Sequence, residues 1–196
     1  ILELLQQRGW KAPDWIVVPG GNLGNTSAFG KALREASALG LCRPPRLAVI
    51  QAAGANPFYR AYMSGFAAYA PVQAHTVATA INIGHPANYV RARRAVQETG
   101  GIVAQVSDDD IMSAKEVIDR AGIGCEPASA AVVAGVRQLV ASGVIAADAD
   151  VVGILTGHVL KDTDAVVSHI EQRGWRPLVA PADPTAVKRL LEEVRL

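Results

Sequence analysis

Several classes of protein are excluded by what this 196-residue chain has little of. Its two cysteines, Cys42 and Cys125, lack a C-x-x-C spacing, which excludes a disulfide framework and predicts buried free thiols in a reducing compartment. The net charge is only +1 and basic residues are interspersed with acidic ones, so neither nucleic acid nor an anionic membrane is an expected partner. No apolar run is long enough to span a bilayer, and the start has no signal-peptide pattern. We therefore expect a cytoplasmic protein with a small-molecule ligand.

Metal and acyl-transfer chemistry also lack their usual signatures. The four histidines, at positions 75, 85, 158 and 169, show no H-x-x-x-H spacing, so no metal site is predicted. There is no G-x-S-x-G elbow for a nucleophilic serine. The acidic run Ser107-Asp108-Asp109-Asp110 is typical of a helix start, in which a serine caps the first turn and carboxylates face the positive end of the dipole.

Apolar runs alternate with helical patterns along the chain. Strands are predicted at 15–18, 47–50, 102–106 and 151–155, and helices at 26–39, near 57–68, and at 108–121, 127–142 and 161–173. Strands apolar on both faces predict a three-layer α/β/α fold with a mostly parallel sheet, in a single domain over residues 1–196. Right-handed crossovers place the carboxyl ends of all strands at one edge, so the loops after Val18, Ile50, Val106 and Leu155 are expected to converge on a ligand.

The first strand leads into a glycine-rich turn, PGGNLGNT at residues 19–26, followed by a helix. Glycines let the backbone approach an anion, and the first helical turn offers unpaired N–H groups. Glycines at 20, 21 and 24 do not fit the dinucleotide pattern G-x-G-x-x-G, and Asn25-Thr26 does not complete a Walker A loop. A site for a single phosphate monoester remains, with a purely structural turn as the alternative.

Three other positions carry open alternatives. The segment 76–86 is too apolar for a solvated loop, and is either packed over a ligand or a buried edge strand. Thr156 either hydrogen-bonds a heteroatom of a bound ring or caps the following turn. Glu126 precedes Pro127 at a predicted helix start, and either caps that helix or meets a cofactor.

Five separated blocks of the chain resemble the threonine synthase family, in the family's order: residues 21–25, 51–57, 78–86, 126–130 and 155–158. The resemblance implies the large domain of a fold type II pyridoxal-phosphate enzyme, with pyridoxal 5′-phosphate as the cofactor. Carried over to the matching positions, the cofactor's phosphate would be bound by Gly21, Asn22, Leu23, Gly24 and Asn25. Thr156 would hydrogen-bond the pyridine nitrogen.

The same resemblance implies an activity and a substrate class. Family members convert O-phosphohomoserine and water to threonine and inorganic phosphate, so the expected partner is a small phosphorylated amino acid, and the full-length form is expected to be a homodimer. Asn82 and His85 stand where many relatives carry Arg and Asn. Another enzyme of the same family, such as a threonine or serine dehydratase or a cysteate synthase, therefore remains an alternative.

The family's Schiff-base lysine has no counterpart among the five lysines. Four are predicted in polar or surface settings, namely Lys11, Lys31, Lys115 and Lys188, and Lys161 is predicted to be solvated near the crevice. The chain also starts within a helical pattern without an initiator Met. We therefore expect a C-terminal portion that is inactive alone, with the lysine and the small domain upstream of Ile1. A noncatalytic phosphate-binding module is the alternative.

Overall fold

The computed structural model describes residues 1–174 and 178–194. The chain divides into two compact units, residues 1–163 and 164–196. In the first unit the strands are β1 (Trp15–Pro19), β2 (Arg46–Ala52), β3 (Ile102–Val106) and β4 (Val151–Gly153). Its helices are α1 (Leu2–Gln7), α2 (Gly24–Ala38), α3 (Pro57–Met63), α4 (Tyr89–Glu98), α5 (Asp108–Arg120) and α6 (Pro127–Ala141). Helix α7 (Thr163–Gln172) starts at the boundary, and α8 (Pro184–Val194) follows in the second unit.

The four strands form one parallel sheet in the order β3-β2-β1-β4. Val18 lies opposite Val49 of β2, and Trp15 opposite Val151 of β4. Helices pack on both faces, as the apolar strands predict, and the expected α/β architecture with a parallel sheet is confirmed. None of the helices within 1–174 and 178–194 combines the length and apolarity of a membrane span.

Alternate residues of the central strands feed two separate cores. Ile16 and Val18 pack with the side chains of α2 and α4, whereas Val17 and Ile50 pack with α6 on the opposite face. Helix α6 is rich in alanine and lies so close to the sheet that a Cβ on Gly135 would come within 2.5 Å of Ile50. Small residues in α6 thus bring its N-terminal end against the carboxyl edge of the strands.

Three helices differ from the sequence prediction, and one of them, α8 in the second unit, was not predicted. Helix α3 ends at Met63 and not near residue 68, because Gly65 adopts φ +64° and the Ser64 hydroxyl donates to Ala61 O at 2.8 Å. Helix α4 was not predicted at all. It buries Ala92, Ala95 and Val96, a stripe of helical spacing that the surrounding arginines obscure.

The segment 72–86 is irregular apart from one 3-10 turn at Thr79–Ile81, so the edge-strand interpretation is wrong. Several of its polar groups bond to other segments and do not form a sheet ladder. These bonds include His75 N to Gly54 O at 2.9 Å, Val77 N to Asp108 Oδ2 at 3.1 Å, and Thr79 Oγ1 to Asp162 Oδ1 at 2.6 Å. Within the segment, Val72 N donates to Gly84 O at 3.0 Å. An irregular segment is thereby fixed on several sides.

The helix start predicted at Ser107 is confirmed. Ser107 Oγ accepts from Asp110 N at 3.1 Å while the Asp110 carboxylate accepts from Ser107 N, which is a reciprocal capping box. Asp108 has a second role, because its carboxylate also accepts from Thr76 Oγ1. The acidic run therefore begins α5 and anchors the neighbouring segment.

Lys115 is buried, with 1% of its surface exposed, so the prediction of a polar or surface setting is wrong for this lysine. Its Nζ donates to both carboxylate oxygens of Asp119, at 2.9 and 3.1 Å, and to Cys125 O at 2.8 Å. Cys125 is a buried free thiol as predicted, and burial raises the pKa of the thiol. Cys42 is free and half-buried.

Candidate functional site

The strand order creates a crevice between β1 and β4. From β1 the chain adds β2 and β3 on one side, and then crosses back to place β4 on the other side of β1. Loops leaving the carboxyl ends of β1 and β4 therefore run in different directions, and ligands bind parallel sheets at such a reversal. A cavity of about 390 Å³ lies there, lined by Pro19, Gly21, Asn22, Leu23, Gly24, Asn25, Ala80, Ile81, Glu126, Ala128, Thr156, Gly157 and Lys161.

The first wall of the cavity is the turn from β1 into α2. Leu23 adopts the left-handed conformation, φ +62°, while its side chain is 2% exposed. The first hydrogen bond of this helix start joins Ser27 N to Leu23 O at 3.0 Å, so the amides of Gly24, Asn25 and Thr26 have no acceptor inside the helix. Together with the dipole of a 15-residue helix, these amides form an anion-binding turn.

The Asn22 side chain is oriented by its neighbours. Its Oδ1 accepts from Ala87 N at 2.7 Å, and its backbone oxygen accepts from Asn88 Nδ2 at 3.1 Å. Because a backbone N–H must donate, the atom facing Ala87 is the amide oxygen, and the Nδ2 hydrogens have no acceptor among the described residues. Asn22 thus adds a side-chain donor to the amides of the turn.

The 3-10 turn closes one side of the cavity over Gly21. A Cβ on Gly21 would lie 2.8 Å from Ala80 O and 3.0 Å from Ile81 Cα, so only a glycine permits this approach. Ala80 and Ile81 both line the cavity. This is the placement that the ligand-covering alternative for the segment predicts.

The opposite wall joins the end of β4 to the start of α6. Ser129 Oγ accepts from Thr156 N at 2.8 Å and from Gly157 N at 3.0 Å, and lies 3.1 Å from Thr156 Oγ1. Thr156 Oγ1 also approaches Glu126 Oε1 at 3.4 Å. The Thr156 hydroxyl therefore stands at the cavity within a polar cluster from both elements.

Glu126 is the N-cap residue of α6, but its carboxylate does not cap the helix, so the predicted capping role of this side chain is wrong. The carboxylate is directed instead towards Lys161, whose Nζ lies 3.0 Å from Oε2. Glu126 is 3% exposed, and a buried carboxylate requires such a partner. The ion pair, and not the helix amides, holds the charge of this residue.

Lys161 extends over the cavity with 57% of its side chain exposed, and it is paired as well as solvated. A hydrogen bond to the Glu126 carboxylate, supported by the attraction of its charge, raises the pKa of Lys161. The pair therefore favours the protonated form of the amine, which is not nucleophilic.

The alkaline stability of the protein is expected to depend on this pair. Because the folded-state pKa of Lys161 is raised above its ordinary value of 10.5, the pair's contribution is fully present below that value. It is lost as the pH rises through the raised folded-state pKa. Urea unfolding of the wild type and Glu126→Gln from about pH 9 to about pH 12 should show a stability difference that is constant up to pH 10.5 and shrinks above it. A difference that stays constant across this range would contradict the expectation.

All six predicted cofactor-binding residues line this one cavity. The loops after β2 and β3 lie outside its lining, and Asn56 in the loop after β2 donates through Nδ2 to Oε1 of Gln105 in β3 at 2.6 Å. The sequence prediction omitted Ser129 and assigned no pairing to Lys161. Ser129 does stand in one of the five recognised blocks, which is the signal that pointed towards it.

Comparison with known proteins places the chain in a family. Residues 1–157 match the profile of the family described as pyridoxal-phosphate dependent enzyme. The chain is 43% identical to threonine synthase of Methanosarcina acetivorans over 192 residues, which covers 96% of this chain and 46% of that protein. It is 37% identical to threonine synthase of Methanocaldococcus jannaschii over 195 residues, or 98% of this chain and 47% of that protein. The chain spans about half the length of these relatives.

The fold is shared with a solved threonine synthase from Escherichia coli, at a TM-score of 0.62 and 19% identity, covering 93% of this chain and 44% of that one. At this identity the likeness shows the fold alone, and it confirms fold type II. The resemblance to threonine synthases and the cofactor class are likewise confirmed. With most of its length matched by the family profile, the chain belongs to the pyridoxal-phosphate dependent enzyme family.

Proposed function

We propose that the full-length protein is a threonine synthase that converts O-phosphohomoserine and water to threonine and phosphate. Residues 1–196 would supply the C-terminal part of its large domain, and the small domain and the cofactor-binding lysine would lie upstream of Ile1. Relatives with the name threonine synthase, at 37% and 43% identity, support the assignment. The observation that carries it is the cavity between β1 and β4, with an anion-binding turn on one wall and the Thr156 hydroxyl on the other.

The turn fits the phosphate of pyridoxal 5′-phosphate. The amides of Gly24, Asn25 and Thr26 and the Asn22 amide nitrogen are donors without a competing acceptor among the described residues. Thr26 Oγ1 is also buried without a hydrogen-bond partner in the described part of the chain, and such orphans are usually satisfied by a water, an ion or a ligand. We assign phosphate binding to Gly21, Asn22, Leu23, Gly24 and Asn25.

Thr156 fits the pyridine nitrogen of the same group. When bound, pyridoxal phosphate supplies an electron sink that permits loss of phosphate from the γ-carbon and addition of water at the β-carbon. A neutral hydroxyl does not force protonation of the ring nitrogen as an aspartate would, which suits elimination better than transamination. The role of Thr156 is therefore to orient the ring while leaving its nitrogen unprotonated.

Lys161 is an unsuitable substitute for the missing lysine. Its amine lines the cavity, but the Glu126 carboxylate 3.0 Å away favours the protonated form. A lysine that binds the cofactor covalently must reach the neutral form. This pairing supports the proposal that the reactive lysine lies upstream of Ile1.

The proposal is tested on the full-length protein. Incubation with pyridoxal 5′-phosphate should produce a visible absorbance that borohydride abolishes, and mass spectrometry of the reduced protein should place the label on a lysine upstream of Ile1. A label on Lys161 would contradict this assignment, and the absence of any label would contradict cofactor binding.

Substrate choice is measured separately, by phosphate release. O-phosphohomoserine should release phosphate with formation of threonine, and O-phosphoserine should not. Turnover of O-phosphoserine but not of O-phosphohomoserine, assayed with sulfite as the nucleophile that replaces phosphate, would favour the cysteate-synthase-like alternative, to which Asn82 and His85 point. Labelling without turnover of either compound would favour a noncatalytic module. We also propose that the full-length protein is a homodimer, as the family resemblance implies, and light scattering of the same sample tests this.

A further inference from the structure

Ser129 lies at the centre of the polar cluster that contacts Thr156. It lies in the first turn of α6 and is 0% exposed, so water cannot contribute to its hydrogen bonding. Three groups of the β4 loop surround its hydroxyl: Thr156 N at 2.8 Å, Gly157 N at 3.0 Å and Thr156 Oγ1 at 3.1 Å. The proposed function assigns no role to this residue.

Only one direction of the hydrogen bond between the Ser129 and Thr156 hydroxyls fits the donors and acceptors of the cluster. A serine hydroxyl has two lone pairs and one hydrogen. Two backbone N–H groups, which can only donate, occupy both lone pairs of Ser129. The contact between the two hydroxyls must therefore run from Ser129 to Thr156, because the reverse direction would require a third lone pair on Ser129.

Thr156 in turn is left with its hydrogen free to donate. One lone pair of Thr156 Oγ1 is engaged by Ser129, and its nearest other acceptor is Glu126 Oε1 at 3.4 Å, beyond the usual range for an O–H···O bond. Glu126 itself is engaged by Lys161 on the other carboxylate oxygen. The hydroxyl keeps its hydrogen and one lone pair for other partners, and the hydrogen is available to an acceptor in the cavity that lies closer than Glu126 Oε1.

We propose that Ser129 is a positioning residue that fixes the Thr156 hydroxyl as a hydrogen-bond donor towards the pyridine nitrogen of pyridoxal 5′-phosphate. The inference rests on the proposed function, since it presumes that the ring nitrogen meets Thr156. A nitrogen that accepts from a fixed donor is kept unprotonated. Without Ser129, the Thr156 hydroxyl and the amides of Thr156 and Gly157 lose the oxygen that holds them, so the ring nitrogen loses its fixed donor and is protonated more readily.

The test is the ¹⁵N resonance of ring-labelled pyridoxal 5′-phosphate bound to the full-length protein. The wild type should give the signal of an unprotonated, hydrogen-bonded nitrogen. In Ser129→Ala the signal should move to lower frequency, in the direction that protonation gives. Ser129→Thr, which keeps the hydroxyl, should return the wild-type signal. Ser129→Cys, which keeps the size but bonds weakly, should shift in the same direction as alanine.

A second serine supplies the matched control. Ser107→Ala also removes an oxygen that accepts from a backbone N–H, at the start of α5, and it should lower stability without moving the resonance. A protonated nitrogen in the wild type would overturn the inference. The inference would also be overturned if the Ser129→Ala and Ser129→Cys variants that bind the cofactor gave the same signal as the wild type. If the wild type binds no cofactor, the proposed function itself fails, and that result is seen before any variant is compared.

Discussion

Gly21→Ala is expected to weaken pyridoxal 5′-phosphate binding at least about tenfold, a loss of about 1.4 kcal/mol, and to destabilise the fold by about 1–3 kcal/mol. The added Cβ would lie 2.8 Å from Ala80 O and 3.0 Å from Ile81 Cα, which are backbone atoms that a side-chain rotation cannot move. Relief of the overlap requires the 3-10 turn and the anion-binding turn to separate. Both walls of the cavity would then change shape.

The matched control is Gly24→Ala in the same turn. Its Cβ would meet no atom of the described residues closer than Asn88 Nδ2 at 3.7 Å, an ordinary van der Waals distance, so stability should stay within about 0.5 kcal/mol of the wild type. Urea unfolding of the full-length variants gives the stabilities, and titration with pyridoxal 5′-phosphate gives the affinity of Gly21→Ala. Equal stability of the two variants would show that the contact with the 3-10 turn does not require glycine at position 21.

Lys115→Met is expected to lower the apparent free energy of unfolding by about 2–3 kcal/mol. The substitution keeps most of the buried volume but removes the donor to Cys125 O and the cation beside Asp119. A buried carbonyl is left without its partner, and the carboxylate keeps only its partial contact with solvent. Because Cys125 immediately precedes Glu126, the start of α6 should also become less ordered.

Lys31→Met is the control for this change. Lys31 also faces a carboxylate four residues along a helix, that of Glu35 at 3.8 Å, but both side chains are more than half exposed. Exposed pairs of this kind contribute little, so the loss should be below about 0.5 kcal/mol. Urea unfolding followed by circular dichroism compares the two variants. Similar losses would mean that burial of Lys115 contributes nothing beyond the helical pairing.

The sequence predicted the sheet because its strands are apolar on both faces, a pattern that helices seldom show over so few residues. It also predicted the turn at 19–26 correctly as a strand-to-helix connection. Helix α4 was missed because three arginines, at 91, 93 and 94, surround its short apolar stripe. A local pattern predicts an element well when the buried residues of that element recur at regular spacing along the chain.

The remaining differences depend on contacts between distant positions. Lys115 has the sequence context of a surface helix, and its burial follows from Cys125 O and the packing of α5 on α6. Glu126 has the sequence position of a helix cap, but Lys161, thirty-five positions later in the chain, takes its carboxylate. The direction of the Ser129–Thr156 bond likewise requires the geometry, because it follows from which backbone amides reach one oxygen.

The irregular segment 72–86 has a consequence for binding entropy. Held by bonds to Gly54, Asp108 and Asp162, it presents the 3-10 turn to the cavity in a conformation that is already fixed before any ligand arrives. A flexible cover would have to be ordered on binding, at a free-energy cost that reduces affinity. Here that ordering has taken place during folding, so a lack of regular secondary structure coexists with a preorganised wall.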